Sequence, residues 1–250
     1  MKARINFKNK IFRVDLFAPI DLSIPVSSRS SLSAYGCEPP KVEPVMAGNF
    51  KGEVKLGGSV NFRNIFFNPH GNGTHTECVG HITRQSQSVN GTIERYFFFA
   101  LLLSVKPELM GNGDRVVMPA SFREFFLPGE GIEAVILRTL PNGPDKKNTN
   151  YSSSNPPYVH HEVMRYLSAA GVSHFLTDLP SVDRESDGGM LMAHKAFWGL
   201  PDDCLEHKTI TELIYVPEEV KDGFYLLELQ VAPFENDAAP SRPLIYAIEF

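Results

Sequence analysis

Cross-linking and membrane insertion are poorly provided for in this chain. Of its 250 residues only three are cysteines, Cys37, Cys78 and Cys204, far apart and without a Cys-x-x-Cys pair. That pattern excludes a disulfide framework and a thiolate zinc knuckle, and points to the cytoplasm. The longest apolar run, Tyr96 to Val105, falls well short of the roughly 20 residues of a membrane-spanning helix. The first residues carry Lys2, Arg4, Lys8, Lys10 and Arg13 but no continuous apolar stretch of the kind a secretory signal needs. A basic excess is missing too. Lys and Arg number 24 against 29 Asp and Glu, for a net charge of −5 and a sequence pI of about 5.9. No Lys/Arg cluster alternates with aromatics, so neither nucleic acid nor membrane is expected as a partner.

What is present suits a globular α/β domain. Hydrophobic residues make up 42% and charged residues 21%, enough to bury a sizeable core. No linker or repeat divides residues 1–250, which read as one domain. Short apolar or alternating runs predict strands at Val54 to Leu56, Asn61 to Phe67, Tyr96 to Val105, Ile132 to Thr139, Gly223 to Ala232 and Leu244 to Phe250. Ala134 to Leu137 is apolar throughout, as in a strand covered on both faces. Val163, Tyr166, Leu167 and Ala170 recur at helical spacing, and Gly171 stands where a helix C-terminal glycine belongs. A strand at Val172 to Leu176 follows, then a loop at Asp178 to Asp183. Further helices are expected over Ser121 to Phe126 and about Met190 to Trp198. Asn142 to Pro157 is a polar loop, either a lid or a solvated excursion.

One stretch concentrates chemistry. His70 to His81 reads His-Gly-Asn-Gly-Thr-His-Thr-Glu-Cys-Val-Gly-His, three imidazoles and a carboxylate in twelve residues. Such a donor set suits Zn²⁺ or Mn²⁺. His75 and Glu77 are two apart, so a strand presents both on one face, while Gly71 and Gly73 allow a turn that brings His70 back toward it. The plainer alternative is a polar loop whose histidines meet water. Cys78 reads as a small buried filler rather than a ligand or nucleophile. His160-His161-Glu162 is a second cluster, but it lies where a helix begins and Glu162 is an ordinary dipole partner there.

The cluster resembles the signature of the metal-dependent cyclase family, which includes bacterial-type kynurenine formamidase and isatin hydrolase and runs His-x-Gly-Thr-His-x-Asp-x-Pro-x-His. Gly73-Thr74-His75 matches its centre, Glu77 stands in the Asp place, and His81 in the last His place. The resemblance runs from about residue 20 onward. Asp21-Leu22-Ser23-Ile24-Pro25 is similar to the family's opening strand and turn, and Leu137-Arg138-Thr139 to its central strand. Asp178 to Asp183 resembles its Asp-x-x-Ser-Val-Asp loop. His194, Glu212 and Pro240-Ser241-Arg242-Pro243 resemble its later features. Three positions differ: His70 precedes His75 by five residues rather than four, leaving Asn72 as the other occupant of that place; Glu77 replaces an aspartate; and Val79 replaces a proline.

The resemblance implies a single α/β domain of swivelling β/β/α type with a mixed sheet, residues 1–19 forming an N-terminal extension. It further implies a metal-dependent amidohydrolase of arylformamidase type, in which one or two ions activate a water that attacks an amide, lactam or ester carbonyl. His70, His75 and Glu77 are the implied ligands of the main ion. His81, His194 and Glu212 complete a second site or move protons, and His81 is the first choice for proton transfer, imidazole being suited to it near neutral pH. Asp178 and Asp183 are candidates to brace ligating histidines. Phe62, Phe66, Phe67 and Trp198 either line an aromatic pocket or pack the core. A small-molecule substrate and a homodimer or larger homo-oligomer are expected. A metal-free binding protein, or a cyclase or dehydratase stabilising an enolate on the metal, are the alternatives.

Overall fold

The apolar runs that dominate the sequence are stacked side by side in one large sheet. The computed structural model describes residues 1–7, 10–123 and 131–249. Its strands begin with β1 Lys2–Phe7, β2 Lys10–Asp15, β3 Ile20–Asp21, β4 Lys41–Pro44, β5 Met46–Ala47, β6 Phe50–Lys51, β7 Arg63–Phe66, β8 His75–Glu77 and β9 Phe97–Val105. They continue with β10 Glu108–Leu109, β11 Arg115–Val117, β12 Ala134–Thr139, β13 Tyr158–Val159, β14 His174–Thr177, β15 Thr209–Glu212, β16 Gly223–Glu228, β17 Ala238–Pro240 and β18 Leu244–Glu249. The helices are α1 Val89–Thr92, α2 Pro119–Arg123, α3 His161–Ala169 and α4 Met192–Trp198.

The main sheet has eleven strands in the order β1-β2-β18-β16-β9-β12-β14-β15-β8-β17, with β3 beside β18. Its centre, β9-β12-β14-β15, is parallel, and antiparallel strands extend it on both sides. This is the mixed α/β sheet expected for the cyclase-like fold. The crossovers between parallel strands supply α3, after β12, and α4, after β14. Both cover one face, where Val163, Leu167, Phe197 and Trp198 meet Leu101, Val135, Leu137 and Phe175. The intervening residues Ala100, Leu102, Ala134 and Ile136 face the other side, packing with Leu22, Ile214, Val216 and Leu227. Two apolar layers explain why the central strands carry uninterrupted hydrophobic runs rather than an alternating pattern.

Most expected elements are in place, with one correction. Val54–Leu56 is one turn of 3-10 helix instead of a strand. It lies where the chain reverses at the tip of an arm: Gly57 takes φ +85°, and a Cβ on Gly58 would lie 2.0 Å from the Lys51 carbonyl oxygen. Most of the segment from Asn142 to Pro157 is exposed or half-buried, as a surface loop should be, but it is anchored at its start. Asn142 is buried and donates to the Val216 carbonyl at 2.8 Å, and Lys146 Nζ donates to Asp178 Oδ2 at 2.7 Å and to the Thr139 carbonyl at 2.6 Å. The helix expected at Ser121 falls in α2, and residues 124–126 of that expectation lie outside the described residues. Gly171, at φ +89°, follows α3 in the left-handed conformation expected of it. No helix among the described residues is long and apolar enough to cross a membrane.

His174, at the start of β14, is 3% exposed, with Nδ1 2.8 Å from Thr209 Oγ1 and its ring centroid 4.0 Å from that of Phe98. Burial, aided by the nearby charges of Arg95, His207 and Lys208, pushes its pKa down to about 3. An unfolded histidine takes up its proton near pH 6.5, about where the folded one still refuses it. The folded state therefore keeps this contribution in full above pH 6.5 and loses it as the pH falls toward 3, by roughly 2 kcal/mol between pH 7 and pH 5. Urea midpoints at those two pH values should differ by less in His174→Gln than in the wild type; an identical difference would show that His174 is not the group responsible.

Candidate metal centre

The strand that carries the histidine motif is short and completely buried. β8 lies between β15 and β17, with His75 opposite Glu212 and Pro240, and Glu77 opposite Ile210 and Ala238. Alternation sends Thr76 to the opposite face, where its hydroxyl meets Thr211 Oγ1 at 2.7 Å. His75 and Glu77 face the side covered by α4. Gly71 and Gly73 are required here for room. A Cβ at Gly71 would lie 2.6 Å from Cys37 Sγ, and one at Gly73 would lie 2.9 Å from Val26 Cγ2 and 3.1 Å from the Ile24 carbonyl. Asn72 Oδ1 accepts the Asn68 N–H at 2.8 Å, closing the turn that returns His70 to the cluster. The longer spacing from His70 to His75 is thus absorbed in the loop, and Asn72 serves the turn.

Glu77 is the hub. Its Oε1 lies 3.0 Å from His194 Nε2, and its Oε2 is 3.1 Å from His70 Nδ1 and 3.8 Å from His81 Nε2. His75 Nε2 faces Glu212 Oε2 at 3.4 Å, while Glu212 Oε1 accepts the Val182 N–H at 2.9 Å. All six residues expected at the site are therefore brought together. Five of them form two groups of potential ligand atoms, His70–Glu77–His81 and His75–Glu77–Glu212, each within 4.8 Å and sharing Glu77, while His194 reaches Glu77 from outside both groups.

Hydrogen bonds behind the cluster orient the rings. The His75 Nδ1–H donates to the Gly73 carbonyl at 3.1 Å, which leaves the Nε2 lone pair directed at the cavity. His194 Nδ1 is 2.6 Å from Asp183 Oδ2, and the same carboxylate accepts the N–H groups of Ala193 and His194 at the start of α4. Asp183 is thus both helix cap and histidine brace. Asp178 is a structural partner of Thr139 and Lys146 instead. Asp237, not anticipated from the sequence, lies 3.0 Å from His70 Nε2 and 3.2 Å from His81 Nδ1. It lies two residues after Glu235 in a polar turn before β17, and nothing local marks it.

The electrostatics reflect a crowded set of acids. Burial alone raises the Glu77 pKa, but the charge of His81 and the hydrogen bond from His194 hold it well below the usual carboxylate range. Burial alone lowers the His194 pKa, but Asp183 and Glu77 lift it well above its ordinary value. Against the same burial penalty, Asp237 and Glu77 raise His70 to about 10. His75 Nε2 is buried without a hydrogen-bond partner, 3.4 Å from Glu212 Oε2, whereas Glu77 Oε2 is held by its ion pairs with His70 and His81. An unpartnered buried atom such as His75 Nε2 costs on the order of 1–3 kcal/mol. A divalent cation fits the convergence of the free His75 Nε2 lone pair with the buried carboxylates of Glu77 and Glu212.

The cavity above this cluster measures about 200 Å³ and includes Tyr35, His70, His81, Asp183, Arg184 and His194 in its wall. The proposed aromatic pocket is absent from it. Trp198 is buried in the core, its ring centroid 5.5 Å from that of His194 and its Nε1 donating to the Lys208 carbonyl. Phe62 and Phe66 are exposed on the arm, and Phe67 packs on Phe234 outside the cavity. Tyr35 supplies the aromatic wall, its hydroxyl donating to the Pro180 carbonyl at 3.0 Å. Cys78 is fully buried beside the Gln87 carbonyl, as a filler should be. His160 caps α3 by accepting the Glu162 N–H.

A buried His/Glu cluster built from the antiparallel strand β8, the carboxyl end of the parallel strand β15 and the start of α4 places the chain among α/β proteins with a candidate metal centre. More specifically, residues 20–184 match the putative cyclase family, and the chain belongs to it. A kynurenine formamidase of Bacillus cytotoxicus is 28% identical over 190 residues, covering 75% of this chain and 81% of that protein. One from Bacillus thuringiensis is 26% identical over 194 residues, covering 76% and 82%. Among solved structures, a potential metal-dependent hydrolase with cyclase activity superposes with a TM-score of 0.66 at 16% identity, covering 93% of this chain and 99% of that one. Isatin hydrolase A from Labrenzia aggregata gives 0.65 at 15% identity, covering 93% and 94%. These superpositions establish the fold.

If Asp183 orients His194 for an ion, Asp183→Asn, which can still cap α4, should weaken affinity for Zn²⁺ or Mn²⁺ by about 10- to 100-fold. Competition against a chromophoric chelator measures this. Unchanged affinity would show that His194 does not serve the ion.

Proposed function

We propose that the protein is a metal-dependent hydrolase that cleaves a non-peptide C–N bond in a small amide or cyclic amide, with aryl formamides as the leading substrate class. The observation that carries this reading is the buried His75 Nε2, which has no hydrogen-bond partner and stands beside two ligand sets that share the Glu77 carboxylate. A metal-free binding site leaves the His75 Nε2 lone pair uncompensated. Kynurenine formamidases among the relatives and isatin hydrolase among the structural neighbours support an amide or lactam carbonyl as the reacting group.

His70, His75, Glu77, His81, His194 and Glu212 are the residues that would hold zinc or manganese, as one ion or two. When bound, such an ion supplies a hydroxide near neutral pH, lowering the pKa of water from 15.7 to roughly 7, and polarises the carbonyl. The chain does the rest. The 200 Å³ cavity admits a single ring and limits the water around it. His81 stands at the accessible side with its side chain 31% exposed, and Asp237 fixes its Nδ1. Its Nε2, 3.8 Å from Glu77 Oε2, either completes the His70–Glu77–His81 set or receives a proton and passes it to the departing nitrogen, an amine that cannot leave without one.

Two variants test this on an aryl formamide. His75→Ala should remove bound metal and lower kcat/KM by at least about 10³-fold, whereas His81→Ala should retain part of the metal and lose activity chiefly in kcat, by about 10²-fold or more. Full turnover by His75→Ala would contradict the assignment.

A further inference from the structure

The cavity over the ligand sets holds one fixed cation besides its histidines, and that cation is incompletely used. Arg184 directly follows the brace Asp183 and lines the cavity. Its Nε lies 3.2 Å and 3.1 Å from the two carboxylate oxygens of Asp114, and its Nη1 donates to the Ser186 carbonyl at 3.2 Å. Asp114 is 2% exposed and is itself held by Asn112, Asn155 and Tyr158. The guanidinium is thus anchored along one edge to an immobile carboxylate. Its Nη2 has no partner among the described residues, and the side chain is 42% exposed.

The acids nearest in sequence cannot satisfy that free edge. Both oxygens of Glu185 accept backbone N–H groups, from Ser153 and Asn155. Both oxygens of Asp187 do the same for Gly189 and Leu191. Asp183 is committed to His194 and the start of α4. A guanidinium fixed in this way is a planar donor fork matched to a carboxylate.

We propose that Arg184 is a specificity-determining residue that receives a carboxylate borne by the substrate, so that the preferred substrate is an anionic aryl amide rather than a neutral one. This rests on the hydrolase reading for the reaction, but not for the anion site itself. Two isosteric pairs separate the two ideas. Anthranilate and 2-aminobenzamide differ only in charge and report binding by equilibrium fluorescence titration; N-formylanthranilate and 2-formamidobenzamide report turnover. The protein as purified, with its metal, should bind anthranilate at least tenfold more tightly than 2-aminobenzamide. Arg184→Gln should abolish that preference and raise KM for N-formylanthranilate at least tenfold, with less than a twofold change for the neutral amide, and Arg184→Lys should recover part of it. A wild type with no preference overturns the proposal. So does an Arg184→Gln protein that keeps the preference, because the carboxylate then goes to the metal. If neither formamide is hydrolysed while the binding preference follows Arg184, the anion site stands and the hydrolase reading fails.

Discussion

A carboxylate taken out of water and surrounded by imidazoles is the constraint on which this structure depends. Glu77 is fully buried on β8. An isolated charge there would cost several kcal/mol or more. Compensation comes from separate segments: the turn after Asn68 returns His70, the turn after β8 presents His81, and α4 delivers His194. β8 can hold its register because β15 and β17 pair with it on both sides. A one-residue slip would turn Thr76 into the cluster and remove both His75 and Glu77 from it.

The backbone around the cluster is shaped accordingly. Tyr35, Leu191 and Leu213 adopt positive φ of 57°, 49° and 55°, conformations unfavourable for large side chains. Leu213 follows Glu212, Leu191 precedes α4, and Tyr35 walls the cavity. Such conformations persist where surrounding contacts over-determine them, and they concentrate at functional sites. The bracing hydrogen bonds fit the same pattern. Gly73, Asp183 and Asp237 each aim a ring at Glu77 or at the space between the acids.

The legible part of the fold was the part governed by local pattern. Ala134 to Leu137 reads as a two-faced buried strand because both neighbouring layers are apolar. α3 is visible through its spacing and its closing glycine. Val54–Leu56 is a 3-10 turn closed by Gly57 at φ +85°, and a run as short as Val-Lys-Leu does not distinguish a strand from a turn. At the site, His75 and Glu77 follow from strand periodicity. His194 and Glu212, lying far along the chain, became candidates only through the family resemblance. Asp237 and Arg184 had no signal, since the first acts through a contact 167 residues from His70 and the second through a partner 70 residues away. The polar segment from Asn142 lies at the surface over most of its length, and its anchor, the buried Asp178 carboxylate paired with Lys146, carries no local signal because it is a tertiary feature.

The claim most exposed to test is that Glu77 is shared by both ligand sets. Chelator-stripped wild type and Glu77→Gln should be titrated with Zn²⁺ and with Mn²⁺, and bound metal counted by elemental mass spectrometry after desalting. Wild type should retain one or two equivalents of at least one ion and Glu77→Gln essentially none, because one substitution removes a ligand from each set. Metal retained at wild-type stoichiometry and affinity in Glu77→Gln, or no metal retained by the wild type, would contradict a metal centre built on this residue.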